Sequence, residues 1–500
     1  MSLIKRNVIA NFTGNGWSAI LSIIVIPLYI HFLGIESYGL IGISVMLISL
    51  FSILDVGLTV TIGREMARLS TLPDRAQDAR DLVRSIELPI WFIALAIGLS
   101  LIVLSHSIAH DWVKPEHLSL DTVQIAVILM GISIVVQWPS SFYASGLAGL
   151  QRQVLLNAIT AGMTTIRCLG AVMILWLVSS TLQAFFIWQI IASLIQTALL
   201  AFFLWRSLPQ TYAISRFQPK LLSEIWRFTA GAGGSMITGM MIAQMDKIIL
   251  SKILSLDLFG YYSLASSAAT SLSRLISPLV IAVYPRMTQL VALGNTDELK
   301  RLYHGSCQLM SVIIFPIGLM MAFFAQEILL VWTQNPLTAQ KTHMIMVLLT
   351  MATMFNGLSH LPISLQYAHG KAEIIFKISF ATVILMAPII YVTAKIYGVY
   401  GAAAGLVGIF FFYTQAFVYF TNRQLLREDA TRWYVEDIGR PVLVSLIVAG
   451  LARFILDCVN NPWIVLFGIC IATLLAMALS ILAGPEIRQQ AIRHYIGISR

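Results

Sequence analysis

An arginine stands in the middle of a long apolar run, and its neighbours at helical spacing carry hydroxyls. Ser263, Ser267, Thr270, Arg274 and Ser277 fall within about 40° of one line at 100° per residue, with Leu272, Ile276, Leu279 and Val283 opposite. A guanidinium at mid-bilayer depth is costly unless it meets water or a partner, which assigns Arg274 to an interior polar cavity or to an ion pair with Asp55 or Asp246. Three other runs carry matching stripes: Asn7, Asn11, Gly14, Ser18 and Ser22; Asn157, Thr160, Thr164 and Arg167; Gly231, Ser235, Thr238 and Asp246. Together they would wall a cavity that is net positive, although small and hydroxyl residues at this spacing also serve helix packing. Asp246 is the first candidate for a coupling-ion site and Asp55 the second, each equally readable as a counter-ion for arginine. Lys247 points about 100° away from Asp246, toward a neighbouring helix or outward with Lys252.

No other constellation supplies chemistry. There is no phosphate-cradling glycine loop and no Ser, Cys and His set for covalent catalysis, so an enzyme has no support. His106, His110 and His117 share one loop with Asp111 and Glu116, a pattern able to hold a divalent ion, but without a second cluster it reads as a solvated loop and no metal is assigned. The four cysteines are dispersed, three of them inside apolar runs. No cofactor is expected beyond a coupling ion, H+ or Na+. Arg453 has Asp457 one turn away and reads as a local pair.

The elements that must carry these residues are membrane spans. Of the 500 residues, 58% are hydrophobic and only 11% charged, against roughly 25% in a soluble domain. The net charge of +9 would suggest nucleic acid in a soluble chain, but here the basic residues lie between apolar runs, so nucleic acid is excluded as a partner. Cuts at charged or turn-rich gaps predict fourteen helices, near 9–31, 39–62, 85–106, 119–146, 154–178, 182–205, 228–252, 258–285, 303–325, 341–366, 373–396, 399–421, 440–457 and 463–483. The first is read as an uncleaved span, since no small-x-small site follows it. With the N-terminus in the cytoplasm, 24 Lys and Arg lie on that side and 4 on the other, with Arg167, Lys247, Arg274 and Arg453 inside spans. The positive-inside rule therefore puts both termini inside. The longest exterior loop, His106 to Ser119, is too short for a catalytic domain, which weighs against a polymerase or acyltransferase. Pro27, Pro278, Pro316, Pro362 and Pro388 interrupt spans and permit bends.

An internal repeat organises the spans. Phe32-Leu33-Gly34-Ile35-Glu36-Ser37-Tyr38-Gly39 matches Ile253-Leu254-Ser255-Leu256-Asp257-Leu258-Phe259-Gly260, and Ala148-Gly149-Leu150-Gln151-Arg152 is echoed by Ala368-His369-Gly370-Lys371. The economical reading is an all-α membrane protein of two six-helix lobes around a central cavity, residues 1–210 and 211–430, with two further C-terminal spans and a tail in 431–500.

Pro27-Leu28-Tyr29-Ile30-His31-Phe32-Leu33-Gly34, Tyr38-Gly39-Leu40, Leu54-Asp55-Val56-Gly57-Leu58 and Arg64-Glu65 resemble the opening of polysaccharide exporters of the Wzx type. Asp246-Lys247-Ile248-Ile249-Leu250, Phe259-Gly260-Tyr261-Tyr262, Tyr284-Pro285-Arg286 and Tyr397-Gly398-Val399-Tyr400-Gly401-Ala402 extend the likeness along nearly the whole chain. That superfamily also holds multidrug exporters and the peptidoglycan-precursor flippase. The resemblance implies a bacterial inner-membrane flippase for an undecaprenyl-diphosphate-linked oligosaccharide, with a polysaccharide polymerase and a chain-length regulator as possible partners. A diphosphate offers several oxygens to an arginine fork, so Arg274 and Arg167 become its preferred contacts, with Asn11, Asn15, Ser267 and Thr270 in the same diphosphate and glycan cavity. In lipid-substrate relatives a basic residue stands in the first span, where this chain has Asn7, Asn11 and Asn15. A cation-coupled drug antiporter of the same superfamily is the competing reading; the two extra spans and the cationic residues stand against it.

Overall fold

The computed structural model describes residues 3–54, 56–211, 213–426, 430–459 and 461–488, the side chains of 3–6, 8–10, 12, 56, 73, 220–236 and 430 excepted. Every regular element among them is helical. In chain order these are α1 (Leu3–Ile24), α2 (Ile26–Leu33), α3 (Ile35–Phe51), α4 (Val56–Leu69), α5 (Ala76–Val103), α6 (Leu120–Gln137), α7 (Ser140–Gly149), α8 (Gln153–Leu177) and α9 (Leu182–Ser207). Then come α10 (Pro219–Ile253), α11 (Leu256–Ala292), α12 (Thr296–Phe323), α13 (Ala325–Thr333), α14 (Pro336–Ala368), α15 (Ala372–Gln424), α16 (Arg440–Leu456) and α17 (Pro462–Ala483), with short 3-10 and π turns between some of them.

Twelve helical segments among the described residues are long and apolar enough to cross a bilayer. The chain is a multi-pass membrane protein. One of the twelve, α15, is a hairpin: Gly398 has φ 63 and ψ −147, a conformation that needs glycine. The Cβ position of Gly405 lies 3.0 Å from Thr393 Oγ1 and 3.5 Å from Ile389, although Ile389 and Gly405 would stand about 24 Å apart along one straight helix. Residues 372–397 and 399–424 therefore run antiparallel. The second expected span ends earlier than its apolar pattern suggested, at Leu54. Beyond it α4 is a separate amphipathic helix, with Leu58, Ile62, Met66 and Leu69 buried on one stripe and Arg64 and Arg68 exposed on the other. Of the five prolines, Pro27 follows a real break at Val25, whereas Pro278, Pro316 and Pro362 stay inside continuous helices and Pro388 inside the first arm of the α15 hairpin.

The chain divides into two compact units, Met1–Gly260 and Tyr261–Arg500. In the first, Ile62 and Met66 of α4 pack with Val83, Ile86 and Ile90 of α5 and Phe142 and Leu147 of α7. The approach of α4 to α7 is backbone-close, since a Cβ on Gly149 would stand 2.3 Å from the Gly63 carbonyl oxygen. In the second, α12 is central: Met310 and Ile314 meet Leu272 and Ile276 of α11, Leu361 and Leu365 of α14, and Trp433. A smaller cluster, Met320 with Val448, Ala449, Ile469 and Ala476, joins α16 and α17 to it.

The two repeated turns meet inside the first unit. α3 starts at Ile35 and α11 at Leu256. A Cβ on Gly39 would lie 2.6 Å from the Leu256 carbonyl oxygen, and one on Gly260 2.3 Å from that of Ile35. The contact is reciprocal, position for position, as two copies of one motif related by a pseudo-two-fold would make it. The acid of the first copy organises the loop between α5 and α6: the buried Glu36 carboxylate accepts the backbone N–H of Glu116 at 2.6 Å, of His117 at 3.0 and 3.2 Å, and of Leu118 at 3.1 Å. The same loop holds the second copy's turn, because Lys114 Nζ donates to the Ile253 carbonyl at 3.2 Å and Leu256 N–H to the Lys114 carbonyl at 2.9 Å.

Candidate functional site

Arg167 lies on α8 in the first unit, half-buried near the middle of a crossing. One terminal nitrogen, Nη2, donates to Ser193 Oγ at 3.2 Å and to Gln196 Oε1 at 2.7 Å, both on α9. Nε is buried with no hydrogen-bond partner, and among the described residues no carboxylate pairs with the guanidinium. A cation held in a membrane helix only by a hydroxyl and an amide keeps its charge available to an anion. Its backbone is held as well. Trp188 Nε1 donates to the Arg167 carbonyl at 3.2 Å and the Tyr29 hydroxyl to the Cys168 carbonyl at 3.3 Å. The Trp188 ring sits where a Cβ on Gly170 would be.

Asn11 belongs to a seam of amides between α1 and α8. Its Nδ2 donates to Gln153 Oε1 at 2.8 Å, and its carbonyl oxygen accepts from Asn157 Nδ2. Asn7 Nδ2 reaches Gln151 Oε1 at 3.5 Å, and Trp17 Nε1 donates to Thr165 Oγ1 at 2.8 Å. Asn15, one turn beyond Asn11, is exposed. These side chains form an amide ladder along α1 in which each amide both donates and accepts.

Arg274 belongs to the second unit. On α11 Leu272 and Ile276 are buried in the core while Thr270, Arg274 and Ser277 are exposed together, and Ser263, at the head of the expected stripe, is buried. Ser267 is half-buried and donates back to the Ser263 carbonyl at 2.9 Å; Thr270 does the same to the Ser266 carbonyl at 2.7 Å. Their hydroxyl oxygens remain able to accept. Asp246 is buried at 8% exposure on α10. Asp55 lies outside the described residues, as does the side chain of Ser235. Arg453 pairs with Asp457 at 3.3 Å and, in addition, with Glu327, which ties α16 to α13. The His106 and His110 rings stack at 4.0 Å, while His117 gives its backbone N–H to Glu36. Among the described residues no three His, Cys, Asp or Glu side chains converge as a metal site would require.

Two features escaped the sequence reading. One is an apolar cavity of about 620 Å³ within the second unit, lined by Phe315 and Leu319 of α12, Met351 and Met354 of α14, Phe411 and Gln415 of α15, and Trp433, Tyr434, Ile438 and Val442 at the start of the appended helices. Tyr434 donates to Gln415 Oε1 at 2.5 Å across it. The crossing that supplies this wall begins at Trp433, ahead of the expected 440; the aromatic pair Trp433-Tyr434 was the available signal. The other is a buried cluster of His304, Gln308 and Asp437, of which His304 and Gln308 stand one turn apart in an otherwise apolar span.

Comparison with known proteins agrees with this architecture. A Shigella flexneri protein provisionally named an O-antigen transporter is 24% identical over 403 residues, covering 81% of this chain and 94% of that protein. The lipid II flippase MurJ in its inward closed conformation superposes with a TM-score of 0.69 at 13% identity, over 95% of this chain and 98% of that one. An inward-facing multidrug resistance transporter of the MATE family, in the MOP superfamily, also gives 0.69, at 10% identity and over 87% and 99% of the two chains. These structures share the fold. The family model described as polysaccharide biosynthesis protein matches residues 4–291, more than half of the sequence, and the chain belongs to that family.

Proposed function

We propose that this protein is a flippase that carries an undecaprenyl-diphosphate-linked oligosaccharide, the repeat unit of an O-antigen or similar surface polysaccharide, across the bacterial inner membrane by alternating access. The observation that carries the reading is the apolar cavity in the second unit, one wall of which is built by the appended helices through Trp433, Tyr434, Ile438 and Val442. Its volume of about 620 Å³ lies within the roughly 300–1,000 Å³ usual for a small-ligand site. Phe and Met side chains suit a flexible polyprenyl chain, because thioethers and ring edges adapt to an irregular hydrocarbon.

On this reading Arg167 and Arg274 grip the diphosphate, Asn11, Asn15, Ser267 and Thr270 meet the glycan, and Asp246 with Asp55 takes the coupling ion, H+ or Na+, or balances the arginines. Charge-assisted contacts to phosphate favour arginine, whose planar fork fits two oxygens at once. On this reading the chain crosses the membrane fourteen times with both ends inside, with the two arms of the α15 hairpin counted separately and α10 taken as a crossing beside the twelve apolar segments. A polymerase and a chain-length regulator would receive the product outside. The test is deletion followed by separate assay of the two leaflets. Lipid-linked repeat units should accumulate on the cytoplasmic leaflet and surface polysaccharide should disappear. Full-length surface glycan in a deletion strain without a second exporter, or loss of resistance to cationic dyes alone, refutes the proposal.

A further inference from the structure

We infer that Asp437 is a positioning residue for lipid binding: clamped by His304 and Gln308, it sets the aromatic wall of the apolar cavity. The inference rests on the lipid-tail reading of that cavity. Asp437 lies in the π-helical turn Trp433–Gly439 that leads into α16, a geometry that recurs where a helix must re-aim side chains at a functional site. The turn sends its residues two ways. Tyr434 and Ile438 line the cavity with Trp433, while Asp437 points into the protein with no exposure at all.

Both carboxylate oxygens are occupied. Oδ2 lies 2.5 Å from His304 Nδ1, and Oδ1 accepts from Gln308 Nε2 at 2.9 Å, both partners on α12 and both wholly buried. Gln308 continues the chain, its Oε1 accepting the backbone N–H of Glu486 at 3.0 Å and of Ile487 at 3.4 Å just past α17. Arg432 adds an outer tie by pairing with Glu436 at 3.2 Å and with Glu486. The carboxylate thus joins α12 to the turn that leads into α16, and Gln308 joins α12 to the end of α17.

Hydrophobic packing alone would seat these helices against α12 without deciding their rotation, because one apolar side chain replaces another at little cost. A buried carboxylate with two directional partners has one satisfactory orientation. That orientation fixes the rotation of the π-helical turn, and with it the angle at which Trp433, Tyr434 and Ile438 face the cavity. The groups that face the carboxylate are His304, Gln308, Tyr303 and Cys307 of α12 and Arg432 on its own segment.

The experiment uses the purified full-length protein in detergent, with undecaprenyl phosphate as the probe, and reads two quantities: the melting temperature without lipid, and the lipid concentration that gives half of the thermal stabilisation. Asp437→Ala should raise the half-saturating concentration by about tenfold, the scale of losing one charged hydrogen bond's worth of positioning. Asp437→Asn keeps one acceptor for Gln308 and one partner for His304, and should stay near the native value. Gln308→Met leaves the carboxylate on His304 and decides the matter if Asp437→Ala does not accumulate; it should weaken lipid binding several-fold. Met351→Trp fills the cavity and should abolish stabilisation. If Met351→Trp responds like the native protein, or the native protein does not respond, the lipid-tail reading has failed and the positioning role falls with it. If Met351→Trp loses the response while Asp437→Ala and Gln308→Met shift only the lipid-free melting temperature, Asp437 is merely structural and the inference is overturned.

Discussion

Replacing Arg167 by methionine should separate stability from transport. The structure permits the two sides of the balance to be compared. Keeping a guanidinium at the centre of a spanning helix costs about 2.5–3.5 kcal/mol on insertion scales, and Arg167 offsets this with a hydroxyl, Ser193, and an amide, Gln196. Methionine removes the desolvation cost. In exchange Gln196 loses the donor at 2.7 Å, worth about 1–3 kcal/mol if its oxygen stays dry, while the Ser193 hydroxyl can turn to a carbonyl of its own helix. The terms nearly cancel, so the melting temperature of Arg167→Met should equal or exceed that of the native protein. Breaking a buried ion pair would behave differently, at about 3–5 kcal/mol of lost stability. Transport has no such compensation. If the fork grips a diphosphate, losing about 1.5–3 kcal/mol of charged hydrogen bonding lowers substrate affinity by roughly 10- to 150-fold, and Arg167→Lys should fall between because it keeps charge without the fork. The assay is thermal unfolding in detergent beside restoration of surface polysaccharide to a deletion strain. A marked fall in melting temperature, or full transport by Arg167→Met, refutes the reasoning.

Arg274→Ala should abolish surface polysaccharide at normal protein abundance with Arg274→Lys partly active, and rescue by adding Asp55→Asn or Asp246→Asn would reassign Arg274 to a structural pair. Gly260→Ala should lower the melting temperature, because its Cβ would stand 2.3 Å from the Ile35 carbonyl oxygen and such overpacking costs about 1–3 kcal/mol; Gly408→Ala, with nothing within 4 Å, should be neutral or stabilising, and equal losses at both sites would refute the close-contact account. Reporter fusions after Arg84, Arg216 and Arg432 should read as cytoplasmic and fusions near Lys114 or Asn461 as exterior, while an exterior signal at Arg216 would break the fourteen-span topology.

The membrane class, the helical architecture and the family resemblance were legible in the chain alone, because each rests on local quantities. A run of apolar residues long enough for a bilayer leaves a helix little alternative, and the α11 stripe, with Leu272 and Ile276 buried and Arg274 exposed, follows from 3.6-residue periodicity. The repeat was visible as matching letters, with Glu36 and Gly39 in register with Asp257 and Gly260. Its purpose was not, since the reciprocal approach of Gly39 to Leu256 and of Gly260 to Ile35 joins residues some 220 positions apart along the sequence. The end of the second crossing at Leu54 was missed for a related reason: α4 is apolar on the stripe that packs against α5 and α7, and hydropathy does not distinguish burial in protein from burial in lipid. The apolar cavity and the Asp437 clamp depend on tertiary structure entirely. Phe315, Met351, Phe411 and Trp433 are unremarkable apolar residues of four separate segments, and the space between them exists only because those segments pack at particular angles. Asp437 in the sequence is one more charge beside a basic segment, and only the approach of His304 and Gln308 from α12 turns it inward, because a carboxylate leaves water where directional partners replace it and nowhere else.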